Sequence, residues 1–258
     1  MPLNPAFDTW TGKRVWIVGA SSGIGAALAS ELFARGAHVA LSARNAQALA
    51  TVAQEGAERA LVVPLDVTDG AAVAAAAGRV AAEFGAIDLA VTVAGDYVAM
   101  RATDLDRERA RRLVDTNLVG TIGVVAAVLP AMLARGAGGI AVVASVAGYR
   151  GLPRALIYGP TKAALINFAE SLYLDLQPRG IGVYLVNPGF VKTRLTDRND
   201  FPMPDLVDAP TAAREIVRGI QAGRFEIAFP RRFARVMKTL RVLPYRLYFA
   251  IVRRTTGA

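Results

Sequence analysis

The sequence predicts a single-domain α/β fold, in which a doubly wound parallel sheet of about seven strands carries helices on both faces. Its 258 residues are 53% hydrophobic and 20% charged, enough to bury one large core. Short runs rich in β-branched residues alternate along the chain with longer, alanine-rich segments of helical character. The runs are apolar throughout, which indicates strands buried on both faces, as in parallel sheets.

Seven apolar runs are the predicted strands. They span residues 14–20, 38–43, 60–66, 88–94, 139–145, 182–188 and 225–229. Helices are expected between them, among them 26–36, 71–85, 105–134 and 160–180. The first ends on Gly36, and the last begins with a proline and ends on a glycine, in the places where helices favour these residues. This strict alternation of strand and helix is typical of a doubly wound sheet.

Composition excludes several kinds of chemistry. The chain has no cysteine and a single histidine, His38, so a thiol site, a disulfide framework, a metal cluster and a Ser-His-Asp triad are not expected. The first twelve residues lack the basic start and apolar run of a signal peptide. No run approaches the ~18 uninterrupted apolar residues of a membrane span. We therefore expect a cytoplasmic protein.

A glycine-rich loop, GASSGIG (19–25), lies between the first strand and the first helix. Gly19, Gly23 and Gly25 would allow a tight turn, a close backbone approach to a pyrophosphate and close packing of helix on strand. The spacing is G-x-x-x-G-x-G and differs from the more familiar G-x-G-x-x-G. Three glycines can also be a plain turn, but their position between strand and helix favours dinucleotide binding.

The end of the second strand bears on which dinucleotide is bound. The segment LSARNAQ (41–47) contains Arg44 and no acidic residue. An acid here would bind a ribose 2′-hydroxyl, whereas a basic residue accepts a 2′-phosphate. Arg44 could equally be a solvated surface residue, but the segment favours NADP(H) over NAD(H).

The segment YGPTK (158–162) places Tyr158 and Lys162 four residues apart. With seven tyrosines and four lysines in the chain, such a pair is expected by chance about 0.1 times. On a helix both side chains share one face, and Pro160 requires that this be the first turn. A neighbouring cation would lower the pKa of the tyrosine and make it a usable general acid or base.

Together with further motifs along the chain, these segments resemble the short-chain dehydrogenase/reductase family, with its Rossmann-type fold, from about residue 11 to 229. The resemblance rests on GASSGIG (19–25), LDV (65–67), AG (94–95), DTNLVG (115–120), ASVAG (144–148), YGPTK (158–162) and NPGFVKT (187–193). It implies an oxidoreductase that moves a hydride between NADP(H) and a carbonyl/alcohol pair.

The resemblance also implies a catalytic tetrad. Ser145 would hydrogen-bond the substrate carbonyl, Tyr158 would exchange the proton, Lys162 would hold the nicotinamide ribose, and Asn117 would anchor a water. The implied cofactor-binding residues are Gly19, Ser21, Ser22, Gly23, Ile24, Gly25, Arg44, Asp66, Val67, Ala94, Gly95, Tyr158, Lys162, Pro188, Gly189, Val191 and Thr193. Taken singly, Ser145 could be a turn residue and Asn117 could satisfy a backbone carbonyl.

Two positions depart from the family pattern. Val93 replaces a polar residue of the usual NNAG motif, and Val18 replaces the usual threonine before the glycine loop. Both changes suggest an apolar repacking of one internal contact. A second function, a non-catalytic NADP(H)-sensing regulator or scaffold on the same fold, is therefore weighed beside the enzyme. Such a protein would not need Ser145, Tyr158 and Lys162, and all three are present.

The substrate side is predicted to be apolar. The family builds a lid over residues 194–210, where this chain has Phe201, Pro202, Met203, Pro204 and Leu206. These residues suggest a hydrophobic substrate, although they could only pack the lid onto its own body. Helices 105–134 and 157–178 are those that pair across a two-fold axis in relatives, so a homodimer or homotetramer is expected.

A basic extension, residues 231–258, is expected to follow the catalytic domain, residues 1–230. Residues 229–258 carry eight basic residues and no acidic one, while the whole chain has a formal charge of +9. In 231–243 apolar residues recur at steps of three and four, which predicts a basic amphipathic helix ending before Pro244. Such a helix could dock on an anionic membrane surface, where YRLYFAIV (245–252) would add aromatic and aliphatic anchors but is too short to span, or it could pack on the protein. Nucleic-acid binding is a weaker alternative, because phosphate contacts do not need so many large apolar residues.

Overall fold

The protein is described by a computed structural model over residues 2–196, 201 and 203–256. Its centre is one parallel sheet of seven strands in the order β3-β2-β1-β4-β5-β6-β7. The strands are β1 Arg14–Val18, β2 His38–Ser42, β3 Ala60–Val62, β4 Leu89–Thr92, β5 Gly138–Val143, β6 Ile181–Pro188 and β7 Glu226–Phe229. All seven predicted runs therefore contain a strand, and the predicted fold class is confirmed.

Helices cover both faces of the sheet. They are α1 Gly23–Ala34, α2 Ala46–Ala53, α3 Gly70–Phe84, α4 Arg107–Val114, α5 Gly120–Arg135, α6 Tyr158–Leu176, α7 Ala209–Gln221, α8 Arg231–Val242 and α9 Tyr245–Thr256. Helices α1, α2 and α7 pack on one face of the sheet, and α3, α5, α6 and α8 pack on the other. The continuous apolar strands lie between these two cores, so each strand is buried from both sides.

Local sequence explains where several helices begin. Asn45, Asp69, Asp106 and Asp208 each accept a hydrogen bond from a backbone N–H of the first turn of the helix that follows. Such a cap satisfies one of the four N–H groups that a helix start leaves unpaired. Helix α1 differs, because the side chain of Ser22 makes no such bond.

The predicted long helix 105–134 is two helices joined by a wider turn. Asp115–Val119 form a π-helical turn between α4 and α5. By length and composition alone the segment Arg107–Arg135 could cross a membrane: its most apolar window has a mean hydropathy of 2.0 and is 39% buried. The prediction that no segment approaches the length and apolar character of a membrane-spanning helix was therefore too strong. Val124, Val128 and Met132 lie in the core beside the sheet, which explains this hydropathy without a membrane.

The C-terminal residues fold as two helices, α8 and α9, which we call the C-terminal hairpin (231–256). Helix α8 ends at Val242, close to the predicted end, and α9 was not predicted. Met237 is buried in the main core, and Phe233 and Leu240 pack against it. The apolar stripe predicted from the sequence is therefore turned toward the protein, the second of the two alternatives for this helix.

Polar contacts hold the hairpin to the sheet. Lys238 forms an ion pair with Glu226 at the start of β7. The same carboxylate accepts hydrogen bonds from the hydroxyl of Tyr149 and from Asn187 Nδ2, 2.9 Å away. These bonds lower the pKa of Glu226 against the opposing effect of its burial, while burial raises that of Tyr149. Hence α8 is joined to the loop that follows β5.

Arg150 joins the same loop to the turn between the two helices. Its Nη1 lies 2.7, 2.9 and 2.6 Å from the carbonyl oxygens of Leu240, Arg241 and Leu243. Its guanidinium lies over the rings of Tyr245 and Tyr248, 4.9 and 4.1 Å from their centres. One side chain thus pairs the carbonyls left free at the end of α8 and supports the start of α9.

Replacing Arg150 should loosen the hairpin without unfolding the domain. In Arg150→Met we expect amide hydrogens of residues 231–256 to exchange at least tenfold faster, because the α8 carbonyls lose a charge-assisted donor worth about 1.5–3 kcal/mol. Hydrogen exchange followed by mass spectrometry measures this. The exposed Arg179, changed to methionine, is the matched control. Equal exchange in both variants would show that Arg150 does not hold the hairpin.

Candidate functional site

The glycine-rich loop is held by backbone contacts. Gly19 N and Ala20 N donate to Ser42 O at 2.7 and 3.1 Å, and Val93 N and Ala94 N donate to Val18 O at 2.8 Å each. Gly19 has φ +104°, and a Cβ on it would lie 2.4 Å from Ala94 N. The loop therefore fits between β2 and β4 only because no side chain is present there.

Gly25 fixes the position of α1. A Cβ on Gly25 would lie 2.1 Å from the carbonyl oxygen of Gly19, so any side chain would push the helix away from the loop. The valines that replace polar family residues are compatible with this arrangement: Val18 is buried in one core and Val93 packs on the other. Their backbone atoms support the loop where polar side chains were expected.

The start of α1 is a cradle for an anion. Ser22 does not cap the helix, and the first turn contains no acidic residue. The Oγ of Ser22 instead accepts a hydrogen bond from Arg194 Nη2 at 2.9 Å. This bond links the segment after β6 to the glycine-rich loop. Unpaired N–H groups and the helix dipole favour a phosphate at such a position. The residues present thus fit a dinucleotide pyrophosphate.

Two charged residues flank the far end of this cradle. Arg44 follows β2 and Asp66 follows β3, and both line the same cleft. Hydrogen bonds from the backbone N–H and hydroxyl of Thr68 lower the pKa of Asp66, and the charge of Arg44 lowers it further. Arg44 is exposed and has no carboxylate within ion-pair distance in the described ranges. Its guanidinium can therefore bind an anionic ligand group.

Tyr158 and Ser145 come together at the carboxyl ends of β5 and β6. Tyr158 is the first residue of α6 and Ser145 follows β5, and the hydroxyl of Ser145 is close enough to the phenol to lower the pKa of Tyr158. Ser145 Oγ also accepts from Ala147 N at 3.1 Å, which fixes its rotamer. A Cβ on Gly148 would lie 2.6 Å from the backbone of Lys162, so this glycine lets the serine loop approach α6.

Lys162 lies one helical turn beyond Tyr158 and is 5% exposed. Its Nζ donates to Val143 O at 3.0 Å and lies 5.7 Å from the centre of the Tyr158 ring. Burial lowers the pKa of Lys162 from 10.5 to about 8. The lysine can therefore change its charge near neutral pH.

The pKa of Tyr158 moves opposite to the sequence-based expectation. Burial raises it to about 12, the bond to Ser145 offsets part of this rise, and the nearby Tyr97 adds to it. The expectation was wrong for this state of the protein, because Lys162 is itself desolvated and directs its ammonium to the carbonyl of Val143. The tyrosine is thus a neutral proton donor over the physiological pH range.

Asn117 is fully buried in the π-helical turn between α4 and α5. Its Oδ1 accepts from Asp96 N at 2.7 Å, and its Nδ2 donates to Asp96 O and Thr161 Oγ1 at 3.0 and 3.3 Å. Its carbonyl oxygen accepts from the hydroxyl of Thr121 at 3.0 Å. The side chain therefore braces the loop after β4 against α6, behind the wall of the cleft.

Most of the residues singled out in the sequence line one cleft of about 1610 Å³ at the carboxyl edge of the sheet. They are Gly19, Ser21, Ser22, Gly23, Ile24, Arg44, Asp66, Val67, Ala94, Gly95, Ser145, Tyr158, Lys162, Pro188, Gly189, Val191 and Thr193. Gly25 and Asn117 lie just behind this lining. Because parallel strands all end at this edge, residues far apart in the chain meet there.

Several residues that line or border the cleft were not predicted from the sequence. The C-terminal hairpin contributes Phe233, Met237, Leu240, Ile251 and Val252 to the lining of the cleft. The spacing of its apolar residues did not show whether they would face the protein or a membrane. Tyr97 makes an edge-to-face contact with Tyr158, with ring centres 5.1 Å apart, and no motif signalled it. Of the predicted lid, Phe201 and Pro204 line the cleft, whereas Pro202 lies outside the described residues.

Comparison with known proteins agrees with this geometry. The family model for short chain dehydrogenase matches residues 13–201. An uncharacterized oxidoreductase of Myxococcus xanthus is 39% identical over 245 residues, which cover 94% of this chain and 97% of that protein. The chain therefore belongs to the short-chain dehydrogenase family, whose members are oxidoreductases that use NAD(P)(H).

Solved structures show the same fold. A short-chain dehydrogenase from Streptomyces avermitilis superposes with a TM-score of 0.80 at 26% identity, covering 94% of this chain and 97% of that one. A variant of actinorhodin polyketide ketoreductase, crystallised with NADPH, gives a TM-score of 0.77 at 27% identity and covers 86% of this chain and 97% of that one.

The burial of Lys162 should cost stability in a pH-dependent way. Its pKa is lower in the folded state than its ordinary value, so between pH 8 and 10.5 the unfolded chain binds more protons and stability rises with pH. The penalty is fully present below pH 8 and amounts to about 3 kcal/mol. Lys162→Met removes it and loses one hydrogen bond worth about 1 kcal/mol.

We therefore expect Lys162→Met to be more stable than the wild type by about 2 kcal/mol at pH 7 and by close to zero at pH 10. Urea unfolding at the two pH values tests this, with the exposed Lys192, changed to methionine, as the control. A gain that does not shrink as the pH rises would contradict the assigned pKa of Lys162.

Proposed function

We propose that the protein is an NADPH-dependent reductase that converts a lipophilic carbonyl compound to an alcohol. One observation carries the proposal: Tyr158, neutral at physiological pH, lines the same cleft as Ser145, Lys162 and the glycine-rich loop. A neutral tyrosine can donate its proton to the oxygen of a carbonyl group as that group is reduced.

The residues of the cleft divide the work of such a reduction. When bound, NADPH supplies the hydride that the carbonyl carbon accepts. Ser145 hydrogen-bonds the carbonyl oxygen and orients it toward Tyr158. Tyr158 donates its hydroxyl proton to that oxygen as the C–H bond forms, so the alcohol leaves neutral. Lys162 would hold the ribose of the cofactor, and Asn117 keeps the loop after β4 in place.

Preference for NADP(H) rests on Arg44. Arg44 follows β2, and the segment LSARNAQ contains no acidic residue. The nearby acidic residue is Asp66, whose pKa the charge of Arg44 helps to lower. Charge-assisted bonds to a 2′-phosphate would add affinity that a 2′-hydroxyl cannot match. The ketoreductase of similar fold that was crystallised with NADPH supports the same choice.

A lipophilic substrate is supported by the walls of the cleft beyond Tyr158. Leu152, Phe201, Phe233, Met237 and Leu240 line this part, and the ring of Phe190 packs between Phe201 and Phe233. Apolar walls with a few polar groups are typical of sites for small hydrophobic ligands. The thioether of Met237 can adapt to different ligand shapes.

We also infer that the enzyme works as a homodimer or homotetramer. Three large apolar side chains are exposed on neighbouring helical segments: Val119 in the turn before α5, Ile122 in α5 and Leu174 in α6. Exposed apolar residues on neighbouring helices are typical of a surface covered by a partner.

Removing the hydroxyl of Tyr158 should affect the rate of reduction without affecting NADPH binding. We expect Tyr158→Phe to retain the fold and NADPH affinity but to lose at least about 10³-fold in kcat for any carbonyl that the wild type reduces, because the proton donor is gone. Tyr173→Phe is the matched control, since that hydroxyl bonds only the carbonyl of Leu3 at the surface. Near-normal turnover by Tyr158→Phe would favour the cofactor-sensing regulator or another chemistry.

Reversing the charge at residue 44 should reverse the cofactor preference. The wild type should bind NADPH at least tenfold more tightly than NADH, because each charge-assisted bond adds about 1.5–3 kcal/mol. In Arg44→Asp the preference should pass to NADH, whose 2′-hydroxyl the carboxylate can bind. Fluorescence titration of both cofactors measures the change, and Arg79→Asp on α3, away from the cleft, is the control. Equal affinities of the wild type for both cofactors would refute the role of Arg44.

A further inference from the structure

The outer surface of the C-terminal hairpin is unusually apolar. Of the fourteen exposed large hydrophobic side chains among the described residues, six belong to the hairpin, about one-tenth of the chain. They are Val236 (56% exposed), Val242 (79%), Tyr245 (70%), Leu247 (56%), Phe249 (51%) and Ile251 (40%), of which Val236 and Ile251 also line the cleft. Helix α9 buries only Tyr248 and Val252, so most of its circumference faces outward. Such a concentration of exposed apolar residues marks an interaction surface.

The same surface carries a strong positive charge. Residues 229–258 contain eight basic residues and no acidic one. Within the described part of the chain, Lys238 is the one hairpin cation with a carboxylate in ion-pair distance, that of Glu226. Arg246, Arg253 and Arg254 are exposed beside Leu247 and Phe249. A partner that complements both the apolar side chains and the positive charge of this surface would present negatively charged groups next to an apolar layer.

The hairpin also forms a wall of the cleft. Its inner side, at Phe233, Met237 and Leu240, lines the cleft, while its outer side presents Leu247 and Phe249. Ile251 is 40% exposed and also lines the cleft, so the outward-facing apolar surface reaches the cleft itself. A lipophilic molecule could pass from an apolar phase outside to the cleft along this edge.

We propose that the outer surface of the C-terminal hairpin docks on an anionic lipid bilayer, with the arginines of α9 at the headgroups and with Leu247 and Phe249, which flank these arginines on opposite sides of the helix, contacting the lipids. Phe233, Met237 and Leu240 of the stripe in α8 pack on the protein, which leaves the aromatic and aliphatic residues of 245–252 as the membrane anchors. Arginine side chains can lie along apolar surface with their guanidinium groups at the phosphates. The cleft would then open toward the membrane.

Vesicle co-sedimentation of the full chain tests this proposal. At low salt the protein should pellet with vesicles of phosphatidylglycerol and phosphatidylcholine in equal parts and stay in solution with phosphatidylcholine alone. Leu247→Ser/Phe249→Ser should lower the partition coefficient about tenfold or more. Leu3→Ser/Leu105→Ser, whose side chains are similarly exposed at 56% and 57%, should leave it unchanged. Arg253→Ser/Arg254→Ser should reduce it about fivefold per arginine.

Each result has a defined meaning. Absence from the anionic pellet at low salt overturns the proposal. Equal pelleting of the wild type and Leu247→Ser/Phe249→Ser shows binding to negative charge alone and also overturns it. A change in the mass of that variant in solution, measured by light scattering, would assign the surface to a second copy of the chain instead. NADPH affinity, which should be unchanged in every variant, shows that the fold is intact, so failure here does not affect the proposed reductase activity.

Discussion

The close approach of backbone to backbone at the start of α1 is the constraint on which the rest of the site depends. Gly19 lies against the strand end at Ala94, and Gly25 lies against the carbonyl of Gly19. These contacts seat the loop between β2 and β4 and leave the first N–H groups of α1 without side-chain caps. The helix dipole and these donors then form an anion cradle beside the residues that follow β5 and β6. With larger side chains at either glycine, loop and helix would move apart and the cradle would be lost.

Stability and chemistry oppose each other in the same cleft. Lys162 is buried with one carbonyl partner, and its lowered pKa measures what that burial costs. Tyr158 is held neutral by the same desolvation. Neither side chain would be placed there for stability, since a buried amine without a carboxylate destabilises a fold. Clusters of such perturbed groups in a cleft are typical of sites that carry function. Asn117, by contrast, is buried with side-chain hydrogen bonds to Asp96 and Thr161.

The C-terminal hairpin connects the substrate side of the cleft to the catalytic loop. Tyr149 and Arg150, only a few residues after Ser145, bind the hairpin through Glu226 and through the α8 carbonyls. Movement of the hairpin would therefore reach the serine loop through short, direct contacts. The six residues 145–150 thus contact both the cleft, through Ser145, and the hairpin, through Arg150.

The sequence by itself determined the features that depend on near neighbours in the chain. Continuous apolar runs defined seven strands, glycines marked the loop before α1, and the four-residue spacing of Tyr158 and Lys162 placed both on one face of α6. Most of the candidate site followed, because parallel strands bring their carboxyl ends to one edge. Only the tertiary structure decided the rest. The direction in which the pKa of Tyr158 shifts depends on burial by residues distant in sequence. Likewise, the amphipathic pattern of α8 was compatible with either orientation, and its packing on core residues distant in the sequence decided which face turned inward.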